Sequence, residues 1–168
     1  MIETQRLLLK PLTYDQLISY MRADGSLETE LNLIPAPRII SPELKEALEE
    51  TILPNVADPG KNYLFSTLWT IILQADKRMI GDLCFMGEPD AAGEIEIGYG
   101  TYEDFRNHGF MAEAVGGIIQ WALKEPGIKG IVASTEKANI ASYTVLEKNK
   151  FVKTGETETL YNWRLQTR

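Results

Sequence analysis

Residues 94–151 concentrate the features able to hold an anion and to move a proton. Arg106-Asn107-His108-Gly109 stands just before an apolar-periodic stretch. A glycine there lets backbone N–H groups come close to a ligand. The first N–H groups of a helix lack partners and its dipole is positive at that end, so an anion is favoured. The combination reads as a pyrophosphate seat. It differs from a nucleotide P-loop, because GxxxxGK[ST] and its phosphate-directed lysine are missing. Upstream, Gly98 and Gly100 are two apart on a strand and share one face with Glu94 and Glu96. Strand glycines mark a bulge, the approach of another backbone or a ligand, or packing alone. A carboxylate on that face can orient a water that takes a proton from an amine, or can simply be solvated. Downstream, Asn139 suits a helix N-cap. Ser142 follows in the first turn, where a serine is ordinary, and its hydroxyl can also donate a hydrogen bond. His108 is the single histidine and lies in the anion loop, where phosphate contact or solvent exposure fits better than catalysis. Cys84 alternates with apolar neighbours and reads as a core thiol.

These residues need elements to position them. Residues 4–12 alternate as a strand, and Thr13 with Gln16 matches a capping box for the helix that follows. Asp24-Gly25 stops that helix, and Ser26 opens a short one through Leu33. Pro35-Ala36-Pro37 marks a turn or extended loop. Ser41-Pro42 starts another helix, with Leu44, Leu48 and Ile52 as its stripe and Pro54 as its bound. Strands are expected over 63–73, 79–86 and 94–101. A helix over 109–125 carries Ala114, Val115, Ile118, Ile119 and Ala122 on one side. A short strand over 131–135, a helix over 139–148 and strands over 152–155 and 158–166 complete the chain. No repeat or linker interrupts it, so one α+β domain over 1–168 is expected.

The chain has 168 residues, 44% hydrophobic and 24% charged, which suits a single folded core. Its formal net charge of −7 argues against nonspecific nucleic-acid binding. The same charge favours a cationic amine by steering, or serves solubility alone. No apolar run approaches the length of a membrane helix, and Met1-Ile2-Glu3-Thr4 lacks the regions of a signal peptide. One cysteine rules out an intramolecular disulfide and fits a reducing compartment, so a cytoplasmic location is expected. One cysteine and one histidine argue against a structural zinc site.

The ordered motifs resemble the GCN5-related N-acetyltransferases. The family's acetyl-CoA signature, Arg/Gln-x-x-Gly-x-Gly/Ala, is matched by Arg106, Asn107, His108, Gly109, Phe110 and Met111, with Met111 departing from a small residue. Asn139-Ile-Ala-Ser142 and the LEKNKF segment ending at Phe151 resemble its N-x-x-S…LEKxGF stretch. Lys150 replaces the usual glycine, and Asn149 is expected to substitute in part by taking the left-handed conformation. Residues 3–12 look like the first strand of the Rim-type branch, which includes N-terminal acetyltransferases of ribosomal proteins.

The resemblance implies a mixed, mostly antiparallel sheet of about seven strands with helices on both faces. It implies acetyl-CoA as co-substrate, no metal, and direct attack by a primary amine in a ternary complex. The acceptor it favours is a protein or peptide N-terminus, then a small-molecule amine. The partners expected are acetyl-CoA and that amine, with no nucleic acid or membrane, in a monomer or homodimer. Main chain near Tyr99, Gly100 and Thr101 would bind the pantetheine arm, and Asn139 would contact a cofactor amide or cap its helix. Glu96 matches the acidic position of the branch's E-I-G-Y segment, while Glu94 reads as electrostatic or structural. The tyrosine that many relatives carry seven positions after the motif asparagine is Leu146 here. The Rim-type branch instead has a serine three positions after that asparagine, which is Ser142 here, so the resemblance implies Ser142 as the general acid, with Tyr143 behind it. Asn32 and Arg38 fall where relatives build the acceptor wall. The competing class is a non-catalytic acetyl-CoA sensor or interaction module on the same fold.

Overall fold

A computed structural model of the chain describes residues 1–165; Gln166 of the expected last strand and the end of the expected domain lie outside them. The expected first strand (4–12) shortens to β2 (Leu7–Pro11), because Thr4 N–H turns back to the Leu7 carbonyl at 2.9 Å, and a two-residue strand β1 (Ile2–Glu3) precedes it. Thr13 and Gln16 form the capping box of α1 (Tyr14–Arg22), which ends at Ala23 in the left-handed region. The next helix, α2 (Ser26–Glu30), is capped by Gly25 rather than by Ser26 and stops short of Leu33.

Ser41 caps α3 (Pro42–Ala47). Pro54 does not bound this helix. A π-helical stretch (Leu48–Ile52) leads directly into α4 (Leu53–Ala57), which carries Pro54 in its first turn. The strand expected from Tyr63 begins later. Tyr63–Phe65 is a 3-10 turn closed by Asn62, and β3 covers Leu68–Leu73.

The remaining elements are β4 (Arg78–Phe85), β5 (Glu94–Thr101), α5 (Phe110–Leu123), β6 (Gly130–Glu136), α6 (Ile140–Lys148), β7 (Phe151–Glu156) and β8 (Leu160–Leu165). They build one sheet of eight strands, ordered β1-β2-β3-β4-β5-β6-β8-β7, with β5–β6 its one parallel pair among the described residues. The count is one more than expected, and the addition is the two-residue β1.

Strand alternation sorts the core onto two faces. Leu7, Leu9, Ile95 and Ile97 pack with Ala114, Val115 and Ile118 of α5 and Leu146 of α6. Leu12, Leu17, Tyr20, Leu27, Leu48 and Leu53 cover Leu68, Ile72 and Met79 on the other side. Helices therefore cover both faces of the sheet, and the β5–β6 junction lies inside it, with five strands to one side and three to the other.

The C-terminus of α6 departs from expectation. Asn149 keeps a negative φ, and Lys150 takes the left-handed position at φ 68°. The Asn149 side chain is committed elsewhere, donating to the carbonyls of Ala112 at 3.1 Å and Val145 at 3.0 Å.

Candidate active site

β5 and β6 pair only from Glu94↔Gly130 to Glu96↔Val132. Beyond that point β5 keeps β4 as its partner and β6 keeps β8, so the two parallel strands part in a wedge. Met86 N–H donates to the Glu96 carbonyl and Tyr102 N–H to the Ile80 carbonyl, so the even-numbered residues of β5 bond toward β4. By antiparallel alternation, Ile97, Tyr99 and Thr101 turn their N–H and C=O groups toward the wedge. A cavity of about 640 Å³ occupies it. Tyr99, Gly100 and Thr101 form one wall, residues 105–112 the floor, and Asn139 to Ser142 with Lys148 the other wall.

The floor is the expected anion loop. Asn107 at φ 66° and Gly109 at φ 75° are both left-handed, and α5 starts directly after Gly109 with no side chain capping it. The N–H groups of the first helical turn are thus left without a capping side chain at the mouth of the cavity. Arg106 bends back, its Nε donating to the Thr101 carbonyl at 3.1 Å. His108 packs its ring 5.5 Å from Phe110, and Met111 is buried.

Sequence reasoning missed the residue that ties this loop down. Arg6 donates from Nε to Glu113 Oε1 at 2.7 Å and from Nη1 to the His108 carbonyl at 3.2 Å, and it lies over the Phe110 ring. Partial burial pushes the Glu113 carboxyl up, but hydrogen bonds from Thr4 and Arg6 outweigh it and hold it below the usual range. No local pattern announces a pair 107 positions apart.

On the α6 wall, the Asn139 side chain accepts from Ser142 N–H at 3.1 Å, so Asn139 is an N-cap. The Tyr99 hydroxyl donates to the Ser142 carbonyl at 2.8 Å, and Ser142 Oγ lies 3.3 Å from the Tyr99 hydroxyl. Burial pushes the Tyr99 phenol up to about 12, with the Ser142 hydrogen bond opposing. Tyr143 is not part of this wall. One residue further round α6, it points away and stacks on Trp163 at 6.0 Å, beside Tyr161.

The second face of β5 carries Glu96, Gly98 and Gly100. A Cβ built on Gly100 would meet nothing within 4 Å, so this face is open above it. Glu96 is half-buried and stands at the last paired position, where the strands part. Glu94 is ion-paired with Arg164, which makes it structural. Cys84, also on this side, is pushed up to about 11 by burial and the nearby carboxylates of Asp82 and Glu96, so it stays a thiol.

Deeper in the same layer, Asp82 accepts from the hydroxyls of Tyr20 at 2.6 Å and Tyr102 at 3.0 Å. Burial pushes its carboxyl up to about 6 against those hydrogen bonds and the Arg38 charge. Arg38 does not face an acceptor. Its side chain is 4% exposed, pairs with Glu28 at 2.6 Å, donates to the Tyr20 carbonyl at 2.8 Å and lies over the Tyr20 ring. Asn32 is exposed, in the left-handed region. Among the described residues no group of three or more His, Cys, Asp or Glu is arranged to hold a metal ion.

A family model described as "Acetyltransferase (GNAT) domain" matches residues 6–152. The uncharacterized N-acetyltransferase YjdG of Bacillus subtilis (strain 168) is 28% identical over 166 residues, covering 97% of this chain and 96% of that protein. Among solved structures, RimL, a ribosomal L7/L12 alpha-N-protein acetyltransferase in complex with coenzyme A, superposes with a TM-score of 0.67 at 17% identity, over 96% of this chain and 94% of that one. A GNAT-family acetyltransferase of Bordetella pertussis superposes with a TM-score of 0.69 at 13% identity, over 98% of both chains.

Proposed function

The chain belongs to the GNAT acetyltransferase family, and from that membership and the wedge geometry we propose that it transfers acetyl from acetyl-CoA to a primary amine held at the parting of β5 and β6. The observation that carries this reading is the unpaired edge of β5 facing a cavity whose floor is an uncapped helix N-terminus. A strand-like pantetheine amide chain suits the edge, and a pyrophosphate suits the helix start.

With the phosphates on the loop of residues 106–111, the thioester reaches the apex beside Glu96 and Ser142. Direct acyl transfer then needs a neutral amine, a held oxyanion and a stabilised thiolate. Glu96 approaches from the open glycine face and accepts the amine proton through a water. A β5 backbone N–H at the apex stabilises the tetrahedral oxyanion. Ser142 donates its hydroxyl hydrogen bond to the departing sulfur. The amine enters from the α1–α2 side, where Asn32 remains exposed. The favoured acceptor is a peptide N-terminus, supported by the named activity of RimL and by the net charge of −7, which steers a cation inward.

The test is release of CoA from acetyl-CoA with a panel of N-terminal peptides, polyamines and aminoglycosides. The reading predicts amine-dependent release, greatest with one of the peptides. Tight acetyl-CoA binding without release for any amine would replace the enzyme with an acetyl-CoA sensor.

A further inference from the structure

No tyrosine is available on the wedge side of α6: Leu146 is buried in the core and Tyr143 is turned onto Trp163. A phenol nevertheless reaches that helix from the opposite wall. Tyr99 projects from β5 across the narrow end of the wedge, donates to the Ser142 carbonyl at 2.8 Å and has Ser142 Oγ at 3.3 Å. Its proton is committed to that carbonyl, so in this arrangement the Ser142 hydroxyl is the donor of the second contact.

We propose that Tyr99 and Ser142 act as one coupled hydroxyl pair at the thioester end of the wedge, with Tyr99 the positioning residue that sets where the Ser142 hydroxyl points. The inference rests on the acetyl-CoA reading above and deepens it. Two contacts from one phenol to one serine restrict the rotation of Ser142 Oγ and span the gap between strand and helix, whose strand partner ends at Glu96↔Val132. When the C–S bond breaks, the Ser142 hydroxyl turns from the Tyr99 oxygen to the sulfur and supplies one hydrogen bond, while Tyr99 keeps its own proton on the Ser142 carbonyl. The proton that makes the thiol comes from the ammonium formed by the attacking amine, so the pair gains and loses none. Because burial holds the phenol protonated, it remains a donor throughout the neutral range. The other charged or titratable groups lining the cavity are Arg106, His108 and Lys148, and Glu96 stands on the opposite face of β5. All of these are unchanged in the variants below.

The measurement is the affinity of CoA and of desulfo-CoA between pH 6.5 and 9. A hydroxyl donor held at the sulfur lowers the thiol's pKa when bound, below the ~8.5 of a free thiol. CoA affinity must then rise with pH up to the free-thiol pKa, while desulfo-CoA stays flat. A hydrogen bond to a charged group makes this rise roughly ten-fold or more. Tyr99→Phe and Ser142→Ala are each expected to cut it to less than about three-fold. The double variant is expected to be no worse than either, since the two act as a unit. Turnover should follow the same non-additive pattern with the acetyl-CoA KM unchanged. Replacing Tyr99 by 3-fluorotyrosine keeps ring and hydroxyl and should restore the rise.

If Tyr99→Phe keeps the full pH effect while Ser142→Ala loses it, the Tyr99 role is overturned and the acetyl-CoA site stands. Losses that multiply in the double variant overturn the coupling. If neither CoA nor desulfo-CoA binds the parent protein, the site reading itself fails and the pair goes with it.

Discussion

Glu96 and Asp82 are two carboxylates on one side of the sheet, and their surroundings give them different work. Glu96 stands half-buried at the apex of the wedge, whereas Asp82 is enclosed by two tyrosine hydroxyls and its Oδ1 has no hydrogen-bond partner among the described residues. Glu96→Gln should lower turnover about ten- to a hundred-fold at pH 7, within the range of general acid–base catalysis. The loss should shrink near pH 9, where more of the amine is already neutral. A loss equal at both pH values would make Glu96 a positioning group rather than a base. Tyr143→Phe should leave turnover unchanged, because that ring faces Trp163 and not the cavity.

Asp82 makes the opposite kind of claim, about stability. Its folded pKa of about 6 lies above the ordinary 3.8, so the folded state holds its proton more tightly than the unfolded chain. Its contribution is full below pH 4 and is lost as pH rises through 6. Asp82→Asn keeps an oxygen for Tyr20 and Tyr102 and cannot ionise. Denaturant titrations should therefore show the parent losing on the order of 2 kcal/mol more than the variant between pH 4 and 7. Parallel pH curves would mean that the Asp82 carboxyl titrates normally.

At the scale of elements, α6 ends on a residue chosen against its backbone. Lys150 occupies φ 68°, a conformation that costs an L-residue roughly 1–2 kcal/mol. Lys150→Gly should raise stability by about 0.5–1 kcal/mol in urea, part of the relief being returned as glycine's entropy in the unfolded chain. A destabilised variant would show that the lysine side chain holds the turn. This turn also marks a limit of what the sequence reveals. The absence of the usual glycine was visible, but which of two neighbours takes the left-handed state depends on Asn149 bonding to Ala112 of α5.

Local chemistry made other elements legible. Thr13 and Gln16, Ser41-Pro42, Asn139 and the Gly109 loop all appear as read, because caps and left-handed turns depend on neighbouring residues. Pro54 and Tyr63 were misleading for the same reason inverted. A π-helical stretch ahead of the proline carries the chain on into α4, and Asn62 draws the β-prone Tyr63–Phe65 into a 3-10 turn. The Arg6–Glu113 tether, the burial of Arg38 against Glu28 and the Tyr99–Ser142 contact join distant segments, and no spacing rule exposes them.

At the scale of the whole molecule, the sheet brings these pieces to one point. The β5–β6 gap opens the sheet where the helix start, the paired hydroxyls and Glu96 converge, and the two cores brace it from either face. The central claim is that acetyl-CoA lies in this wedge with its phosphates at Gly109. Gly109→Val tests it by calorimetric titration of acetyl-CoA. A Cβ at Gly109 would come no nearer than 3.7 Å to Arg6, so the free protein has room for it, although φ 75° strains a β-branched residue by roughly 1–2 kcal/mol. The account predicts that the parent binds one equivalent of acetyl-CoA and that the variant, still folded by its melting curve, binds at least about ten-fold more weakly, with the close approach of backbone to phosphate removed. A folded Gly109→Val protein with the parent's acetyl-CoA affinity would contradict it.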